Sequence, residues 1–314
     1  MKETIRFSEE NGAAVMVGGA SRPAFAELAG SIVNALSIDV EDYFQVAAFD
    51  SHVARDEWDT RECRVERNID RILEMLAQHD TKATFFTLGW VAERYPGMVG
   101  RIVAGGHELA SHGHSHRRAS VQSPDDFFSD ISRAKSILED CGGVPVRGYR
   151  APSFSIGAGN PWALECIQRA GYDYSSSIYP IRHDHYGWTA APRFPFNPVP
   201  GLVEIPISTV RLMNRNWPAG GGGYFRLLPY GVSRWALRRI NRADQRPVIF
   251  YFHPWEIDPG QPRVSSASLK ARFRHYVNLD QTERRLHRLL NDFQWSRVDT
   301  IFLPTETDTR RGAR

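Results

Sequence analysis

Residues 32–42 have the sequence IVNALSIDVED, an apolar run that ends in acidic residues. A run of this kind predicts a strand that is buried on both faces and brings its last side chains to the edge of a sheet. Apolar residues at helical spacing follow over 65–76, and the apolar run KATFFTL at 82–88 predicts a second buried strand. The chain therefore begins as strand, helix, strand, which is typical of an α/β protein.

The same alternation continues along the chain. The clearest helix follows Ser123, which can cap it, and ends at Gly142 and Gly143. Asp280 and Glu283 have capping-box spacing and predict the start of the last helix. The other expected elements are helices at about 90–104 and 161–170 and strands at 107–112, 144–150, 172–178, 203–209 and 247–253. Strand followed by helix, repeated about six or seven times, predicts an α/β barrel or a doubly wound sheet.

Composition indicates a folded protein, since 42% of the 314 residues are hydrophobic and 24% are charged. The 39 basic and 36 acidic residues are nearly balanced, which gives no support to a nucleic-acid-binding or membrane-surface role. No apolar run is long enough to span a membrane. The first residues lack the apolar stretch of a signal peptide, which predicts a cytoplasmic protein and leaves the periplasm open. Three widely separated cysteines predict structural thiols.

Residues 1–30 carry no clean periodicity and are expected to form a poorly ordered leader, and residues 306–314 form a basic tail. Prolines concentrated at 190–201 predict an internal boundary, so a distinct C-terminal part is expected from about 190. Four consecutive glycines at 220–223 are not followed by the Lys-Ser or Lys-Thr pair of a phosphate loop. They predict a flexible loop or, alternatively, a loop whose backbone approaches a ligand closely.

Four clusters of reactive side chains stand where predicted strands end. In the first, Asp39, Glu41 and Asp42 place three carboxylates within four residues. Carboxylates this close repel one another, so the arrangement is costly unless a cation or a shared proton relieves it. A solvated strand end that caps a helix is the alternative interpretation.

The second cluster is SHGHSH at 111–116. Imidazole is a common zinc ligand, and His112 and His116 can meet one ion if the backbone between them makes a helical turn. His114 is expected to point the other way and not to be a ligand. An exposed loop is the alternative.

The third and fourth clusters are RGYRAPS at 147–153 and VIFYFHPWE at 248–256. The guanidinium of Arg150 could hold a carboxylate by two parallel hydrogen bonds, or form a surface salt bridge. His253 ends an apolar strand and has Glu256 three residues on, although a lone histidine in such a place is often a core residue. In a barrel all four strand ends meet on one rim, which is where such folds have their active sites.

These clusters together resemble the polysaccharide deacetylase family, whose members carry the NodB homology domain and form carbohydrate esterase family 4. The resemblance covers about residues 32–260 and is strongest to the deacetylases of exosortase-linked exopolysaccharide loci. It rests on DVEDYF, RAPSFS, GGGYFR and FHPWE at 39–44, 150–155, 221–226 and 252–256. It implies a distorted (β/α)7-type barrel and a single catalytic domain over 31–305, including the C-terminal part.

The resemblance also implies roles for single residues. Asp39 matches the general base, Arg150 the arginine that holds it, and His253 the general acid. The backbone N–H of Ser153 matches an oxyanion donor. The family's aspartate that orients the acid histidine has no clear match here, and Asp173 or Glu256 could replace it.

The implied metal ligands are His112, His116 and one acid. DVED replaces the family's adjacent aspartate pair, so that acid is Glu41 or Asp42. A spacing of two along a strand keeps Asp39 and Glu41 on one face, which favours Glu41.

The implied function is a metal-dependent hydrolase, with Zn²⁺ as the expected ion, that removes N-acetyl groups from an amino-sugar polysaccharide or oligosaccharide in exopolysaccharide biosynthesis. Tyr224 and Trp255 are candidate sugar-binding residues, and Trp188 and Trp217 could also stack on sugar rings or pack in the core. Two alternatives remain open: a catalytically silent carbohydrate-binding protein of the same fold, and a deacylase of small amides. The oligomeric state cannot be read from the sequence.

Overall fold

The computed structural model describes residues 27–28, 31–183 and 187–303. Of the predicted leader, only residues 27–28 are described, and they form a short strand that pairs with residues 31–32. The predicted basic tail lies outside the described residues. Within the described ranges, every helix is too short or too polar to span a bilayer. The three cysteines are free thiols, as predicted.

Strands and helices are numbered in chain order. The strands are β1 Glu27–Leu28, β2 Ser31–Val40, β3 Thr84–Thr87, β4 Glu108–Ser111, β5 Gly148–Tyr149, β6 Tyr174–Ser175, β7 Phe196–Val199, β8 Leu202–Glu204, β9 Thr209–Leu212, β10 Arg215–Pro218, β11 Ile249–Phe252 and β12 Gln294–Ser296. The α-helices are α1 Val65–Gln78, α2 Gly89–Arg94, α3 Pro96–Ala104, α4 Pro124–Gly142, α5 Trp162–Arg169, α6 Gly223–Leu227, α7 Tyr230–Arg239, α8 Leu269–Tyr276, α9 Leu279–Asp292 and α10 Val298–Phe302.

One sheet organises the molecule. Its strand order is β1-β2-β3-β4-β5-β6-β8-β7, and β11 and β12 also pair with β2. Neighbours from β2 to β8 are parallel, and β11 is parallel to β2. Parallel strands have their carboxyl ends at the same edge of a sheet, so the loops that follow these strands converge on one side of the molecule.

The alternation of side chains along β2 explains why an acid reaches that edge. Leu36, Ile38 and Val40 pack in a core that includes residues of α1 and α9. Side chains of the opposite parity face the barrel interior, where Ala35 packs in a second core. Asp39 shares that parity and is the last residue of β2 to face inward.

The barrel closes without a continuous strand between β8 and β11. Single backbone bonds bridge the gap: the Ile207 N–H donates to the Ile178 carbonyl at 3.0 Å, and the Tyr251 N–H donates to the Gly220 carbonyl at 2.7 Å. The Ile249 N–H is satisfied by Ser208 Oγ at 2.9 Å. A distorted α/β barrel is therefore confirmed.

The glycine run at 220–223 helps to make this closure. Gly221 and Gly222 have φ values of 110° and 58°. A Cβ at Gly221 would lie 2.1 Å from the Tyr251 carbonyl oxygen, and one at Gly222 would lie 2.4 Å from the Tyr251 hydroxyl. The preferred expectation of a flexible loop was wrong, because residues 220–222 are buried against β11.

The long predicted elements are confirmed, and several boundaries differ. Ser123 Oγ accepts from the Asp126 N–H and caps α4, as expected. The helix expected at 90–104 is two helices, because Pro96 lacks an N–H and starts a new one. The capping box expected at the last long helix is wrong, since α9 starts after Asn278, in left-handed conformation, without a side-chain cap.

Other differences concern length. The strands expected at 144–150, 172–178 and 203–209 pair regularly over only two or three residues each. Most elements after 190 were not predicted, including the β9–β10 hairpin, α6 to α8 and α10. Most of them are short and offer too few residues to show a hydrophobic period. Helix α7, with ten residues, was missed although the shorter α5 was predicted.

Candidate functional site

The four predicted clusters meet at the carboxyl edge of the sheet. Asp39 lies at the end of β2, His112 directly after β4, Arg150 directly after β5 and His253 directly after β11. Asp39, His112 and His253 line one cleft of about 190 Å³, together with Ser153. The side chains that the sequence placed at four strand ends therefore lie close together, as expected for one rim of a barrel.

Glu41, His112 and His116, here called the Glu-His-His group, form a candidate metal centre. Their ligand atoms all lie within 4.8 Å of one another. His116 Nε2 is 2.6 Å and His112 Nε2 is 4.0 Å from Glu41 Oε2. The three side chains are 2–3% exposed. A buried set of two imidazoles and one carboxylate is a donor set that zinc uses in proteins.

The electrostatics of this group suit a cation. Burial lowers the pKa of His112 to about 4, so its imidazole is neutral at pH 7, the form that binds metals. Burial would raise the pKa of Glu41, but His116, His253 and His112 lower it to about 2. Its ion-pair partners among the described residues are histidines, and His112 is a neutral one. A buried carboxylate in such surroundings favours a bound cation.

The two histidines converge by a route that differs from the predicted helical turn. Gly113 and His116 have φ values of 75° and 51°, so the backbone reverses instead of making a helical turn. Asp130 holds this loop by accepting from the backbone N–H groups of His114 and Ser115 at 2.9 and 3.2 Å. His112 Nδ1 is bonded to the Arg150 carbonyl at 2.8 Å, which leaves Nε2 facing Glu41.

His114 is turned away from the group, as expected. Its Nε2 lies 3.1 Å from Glu93 Oε2.

Asp42 has a different task from Glu41. Its carboxylate accepts from the backbone N–H groups of Tyr43, Arg64 and Val65 at 2.8, 2.5 and 2.9 Å. The last two belong to the amino-terminal end of α1, so Asp42 caps that helix. Burial raises the pKa of Asp42 to about 6, although these N–H groups oppose the shift. The helix-cap alternative considered for the acidic cluster thus describes Asp42.

Asp39 is held by Arg150, a fully buried arginine. Arg150 Nη1 donates to Asp39 Oδ1 at 2.6 Å and to Ser37 Oγ at 2.9 Å. Nε and Nη2 donate to the carbonyl and hydroxyl of Ser176 at 3.1 and 3.0 Å. The guanidinium also lies over the Phe86 ring, 4.0 Å from its centroid. The pair is therefore a single-bond contact and not the two-bond fork considered from the sequence.

Ser153 lies on the rim of the cleft in a strained turn. Its φ and ψ are 57° and 26°, and Phe154 has φ 49°. Non-glycine residues avoid this conformation, which costs about 1–3 kcal/mol each and often marks a functional site.

His253 faces the acids of the cleft. Its Nε2 lies 3.6 Å from Glu41 Oε1 and 4.0 Å from Asp39 Oδ2, while Nδ1 lies 2.6 Å from Glu256 Oε1. Burial would lower the pKa of His253, but Glu41, Glu256 and Asp39 raise it to about 9. Of the two candidates for its partner, Glu256 makes the contact, whereas Asp173 is half exposed and pairs with Arg147.

The aromatic residues differ in position. Trp255 lines the cleft but is only 5% exposed, stacked between His253 and His275. Its Nε1 donates to Glu41 Oε1 at 3.2 Å, a contact that the sequence did not indicate. Tyr224 is half-buried on α6 and is not among the described residues that line the cleft. Trp188 is buried and Trp217 is half exposed on β10.

Arg226 and His275 are buried residues of the cleft that the sequence analysis missed. Arg226 Nε donates to Glu256 Oε2 at 2.6 Å. The GGGYFR motif contains Arg226, so the motif was visible but the role of its arginine was not. His275 gave no comparable signal.

A larger, open depression of about 600 Å³ lies elsewhere on the surface, next to α1 and α3. Glu66 and Asp70 line it, and both already pair with Arg101 at 2.9 and 2.8 Å. Paired surface charges of this kind do not indicate a reactive site.

Two family models match the chain. Residues 51–175 match Polysaccharide deacetylase, and residues 176–303 match a domain of unknown function, DUF3473. The acidic segment 39–42 lies outside both matches. A solved structure of a provisional polysaccharide deacetylase from Mycobacterium smegmatis is 18% identical, with a TM-score of 0.58, and the similarity covers 94% of this chain and 95% of that one. It supports the fold alone.

Curated relatives match a shorter segment. A peptidoglycan-N-acetylglucosamine deacetylase of Bacillus cereus is 37% identical over 82 residues, which is 26% of this chain and 30% of the relative. A chitooligosaccharide deacetylase of Sinorhizobium fredii is 37% identical over 82 residues, again 26% of this chain, and 38% of the relative. The chain thus matches only about a third of the length of these relatives. The family match and these relatives together identify residues 51–175 as a polysaccharide deacetylase domain.

Proposed function

We propose that this protein is a metal-dependent hydrolase that removes N-acetyl groups from an amino-sugar polysaccharide. The observation that carries the proposal is the convergence of Asp39, the Glu-His-His group and His253 in one cleft. These are a base, a cation-binding set and an acid, which together suffice for amide hydrolysis. The deacetylase domain and the names of the two relatives support the same reaction class.

The Glu-His-His group would hold a divalent ion, and Zn²⁺ fits its nitrogen and oxygen donors. When bound, the ion supplies a Lewis acid that polarises the acetyl carbonyl and makes water a better nucleophile. Trp255 and the Arg150 carbonyl orient Glu41 and His112 through hydrogen bonds of 3.2 and 2.8 Å. Partners of this kind orient metal ligands and tune their affinity.

Asp39 takes the proton of the attacking water in this proposal. Arg150 holds one carboxylate oxygen, and the other oxygen is the one nearer His253. Attack on the amide develops negative charge on the acetyl oxygen, which a preorganised N–H can stabilise. The backbone N–H of Ser153, on the rim of the same cleft, is proposed as that donor.

His253 gives a proton to the departing sugar amine. An amine leaves poorly unless it is protonated, so an acid within reach is needed. The carboxylates of Glu41, Glu256 and Asp39 raise the pKa of His253, which favours the protonated ring that a general acid requires. Because Nδ1 of His253 contacts Glu256, Nε2 is the ring nitrogen that faces the reacting groups.

The substrate class follows from the size of the cleft and from the motifs. About 190 Å³ is less than the volume that encloses a drug-sized ligand, so the cleft would take the acetyl group while the glycan lies across its opening. The DVEDYF, RAPSFS, GGGYFR and FHPWE motifs favour an exopolysaccharide. Peptidoglycan and chitooligosaccharides, named for the relatives, are the other candidates.

The test is metal analysis of the purified protein combined with an assay of acetate release. The substrates are N-acetylglucosamine oligomers, peptidoglycan and an N-acetylated exopolysaccharide. We expect bound zinc, acetate release, loss of activity with a chelator and recovery when zinc is added back. Metal binding without acetate release from any glycan would favour the silent carbohydrate-binding protein. Release from small N-acetyl amides alone would favour the small-amide deacylase.

A further inference from the structure

Arg226 is a buried cation in the part of the chain that matches a domain of unknown function. It is 2% exposed and borders the cleft, yet the proposed chemistry does not require it. Its Nε donates to Glu256 Oε2 at 2.6 Å, and Glu256 is itself fully buried. A buried carboxylate needs partners for both oxygens, so the pair is structurally demanding and calls for an explanation.

We propose that Arg226 is a positioning residue that holds the Glu256 carboxylate, and through it the His253 ring, in the orientation that donates a proton to the leaving amine. This inference rests on the proposed deacetylase function. It gives the C-terminal part of the chain a defined task in the reaction.

The geometry of Glu256 is the first support. Its Oε1 accepts from the His253 backbone N–H at 3.0 Å and faces His253 Nδ1 at 2.6 Å. Its Oε2 is left for Arg226. With one oxygen held by Arg226, the other stays in the plane that Nδ1 requires, and Nε2 points to Asp39 and Glu41. Without Arg226, the carboxylate could rotate and the ring would lose its fixed orientation.

The anchoring of Arg226 itself is the second support. Nη1 donates to the carbonyls of His275 and Val277 at 2.6 and 3.2 Å, and Nη2 donates to the Arg274 carbonyl at 3.1 Å. These carbonyls lie at the carboxyl end of α8, where helix carbonyls lack intrahelical partners and carry partial negative charge. Both terminal nitrogens are thus occupied, and Nε is the nitrogen that remains for Glu256.

The local backbone is the third support. Gly222 donates its N–H to the Tyr251 carbonyl at 3.0 Å, which ties the start of α6 to β11, two residues before His253. The glycines allow this approach because a Cβ would collide with Tyr251. Arg226 therefore reaches Glu256 from a backbone that is fixed to the strand bearing the acid.

The test compares Arg226→Ala and Arg226→Lys with Arg285→Ala, a matched control. Arg285 also donates to carbonyls of this segment, at Phe225, Arg226 and Leu228, but does not touch Glu256. We measure kcat, KM and zinc content with N-acetyl substrates of poor and good leaving groups. Methylguanidinium is added to the Ala variant as a chemical rescue.

We expect kcat of Arg226→Ala to fall about 10- to 100-fold for the substrate with a poor leaving group. This is less than the full contribution of general acid catalysis, because the acid itself is still present. KM and zinc content stay near wild type, the good leaving group recovers most of the rate, and methylguanidinium restores part of it. Arg226→Lys, which lacks the planar fork, falls less and keeps the fold. Arg285→Ala lowers thermal stability without the leaving-group dependence.

Equal losses for both leaving groups, with no rescue, would overturn the positioning role in favour of a structural one. If Arg226→Ala does not fold, the leaving-group dependence of Arg226→Lys decides the question by the same criterion. Absence of acetate release by the zinc-loaded wild type is a different result, because it overturns the proposed function itself.

Discussion

The site is built by two regions of different construction, residues 31–175, the N-terminal region, and residues 176–303, the C-terminal region. The N-terminal region contains the long helices α1 and α4 and the strands at the centre of the sheet. It supplies Asp39, Arg150 and the whole Glu-His-His group. Apart from α9, the C-terminal region consists mostly of short strands and helices, and it supplies His253 and its supporting residues.

The comparison teaches that the side chains proposed to bind the cation and the one proposed to donate the proton come from separate parts of the chain. In the N-terminal region Asp39, His112 and Arg150 lie at or directly after the ends of their strands. Arg150 bonds to Asp39 through its side chain and to His112 through its carbonyl. In the C-terminal region His253 depends on Glu256, and Glu256 depends on Arg226. Some residues of the C-terminal region reach across to the other: Trp255 donates to Glu41, and Ser176 accepts two hydrogen bonds from Arg150. Variants of the two regions should therefore differ in what they lose.

The largest effects are expected in the Glu-His-His group. Glu41→Ala, His112→Ala and His116→Ala should each lose the bound metal and, with it, essentially all activity, because catalytic zinc sites use three protein ligands. Elemental analysis and acetate release measure the two losses. His114→Ala is the matched control and should keep both. Equal loss at His114 would contradict the proposed ligand set.

Loss of the proposed base or acid should lower kcat without removing the metal. Asp39→Asn and His253→Ala should keep zinc and most oligosaccharide affinity, but lose about 10²- to 10⁴-fold in kcat, the usual worth of general acid–base catalysis. A substrate with a good leaving group should recover the rate of the His253 variant more than that of the Asp39 variant. Normal turnover in both variants would show that base and acid are assigned wrongly.

Trp255 tests whether the C-terminal region also affects the metal. Trp255→Phe removes the N–H that donates to Glu41, so zinc affinity should fall about 10- to 100-fold, as for other partners of metal ligands. Competition with a chelator measures the affinity. Trp217→Phe, at a half-exposed site on β10, should leave it unchanged. Weakened glycan binding with normal zinc affinity would instead support the sugar-stacking role predicted for Trp255.

Substitution of Asp42 should have the smallest effect. It should lower the stability of the fold and leave metal binding unchanged. Asp42→Ala removes the acceptor for the N–H groups at the start of α1 and should lower the free energy of unfolding by about 1–2 kcal/mol, as for other helix caps. Asp42→Asn keeps an acceptor and should lose less. Chemical denaturation measures both variants, which should retain zinc. Loss of zinc in both would transfer the ligand role from Glu41 to Asp42.

The sequence predicted the N-terminal region better than the C-terminal one. Strand β2 and helices α1 and α4 are long enough for their apolar periods to be counted, and Ser123 and Gly143 mark the ends of α4 by local chemistry. Elements of two to five residues show no period. The β9–β10 hairpin and α6 are held in place by contacts with distant segments, which a local pattern does not contain.

For the candidate site, local sequence was enough to select residues that the fold brings together, but not to choose among neighbours. Glu41 and Asp42 are adjacent and chemically alike, and they diverge because Asp42 meets the start of α1 whereas Glu41 meets His116. The partner of His253 was similarly open between Asp173 and Glu256. Contacts between residues far apart in the chain decided both questions.

The sequence by itself determined the alternation of strands and helices, the four strand-end clusters and the spacing of His112 and His116. These depend on hydrophobic period and on residue type, which are local properties. The tertiary structure alone decided the closure of the barrel by the glycine run, the separate tasks of Glu41 and Asp42, and the contact of Arg226 with Glu256. The physical reason is that a buried charge takes its role from the partners that surround it, and the fold brings those partners from distant parts of the chain.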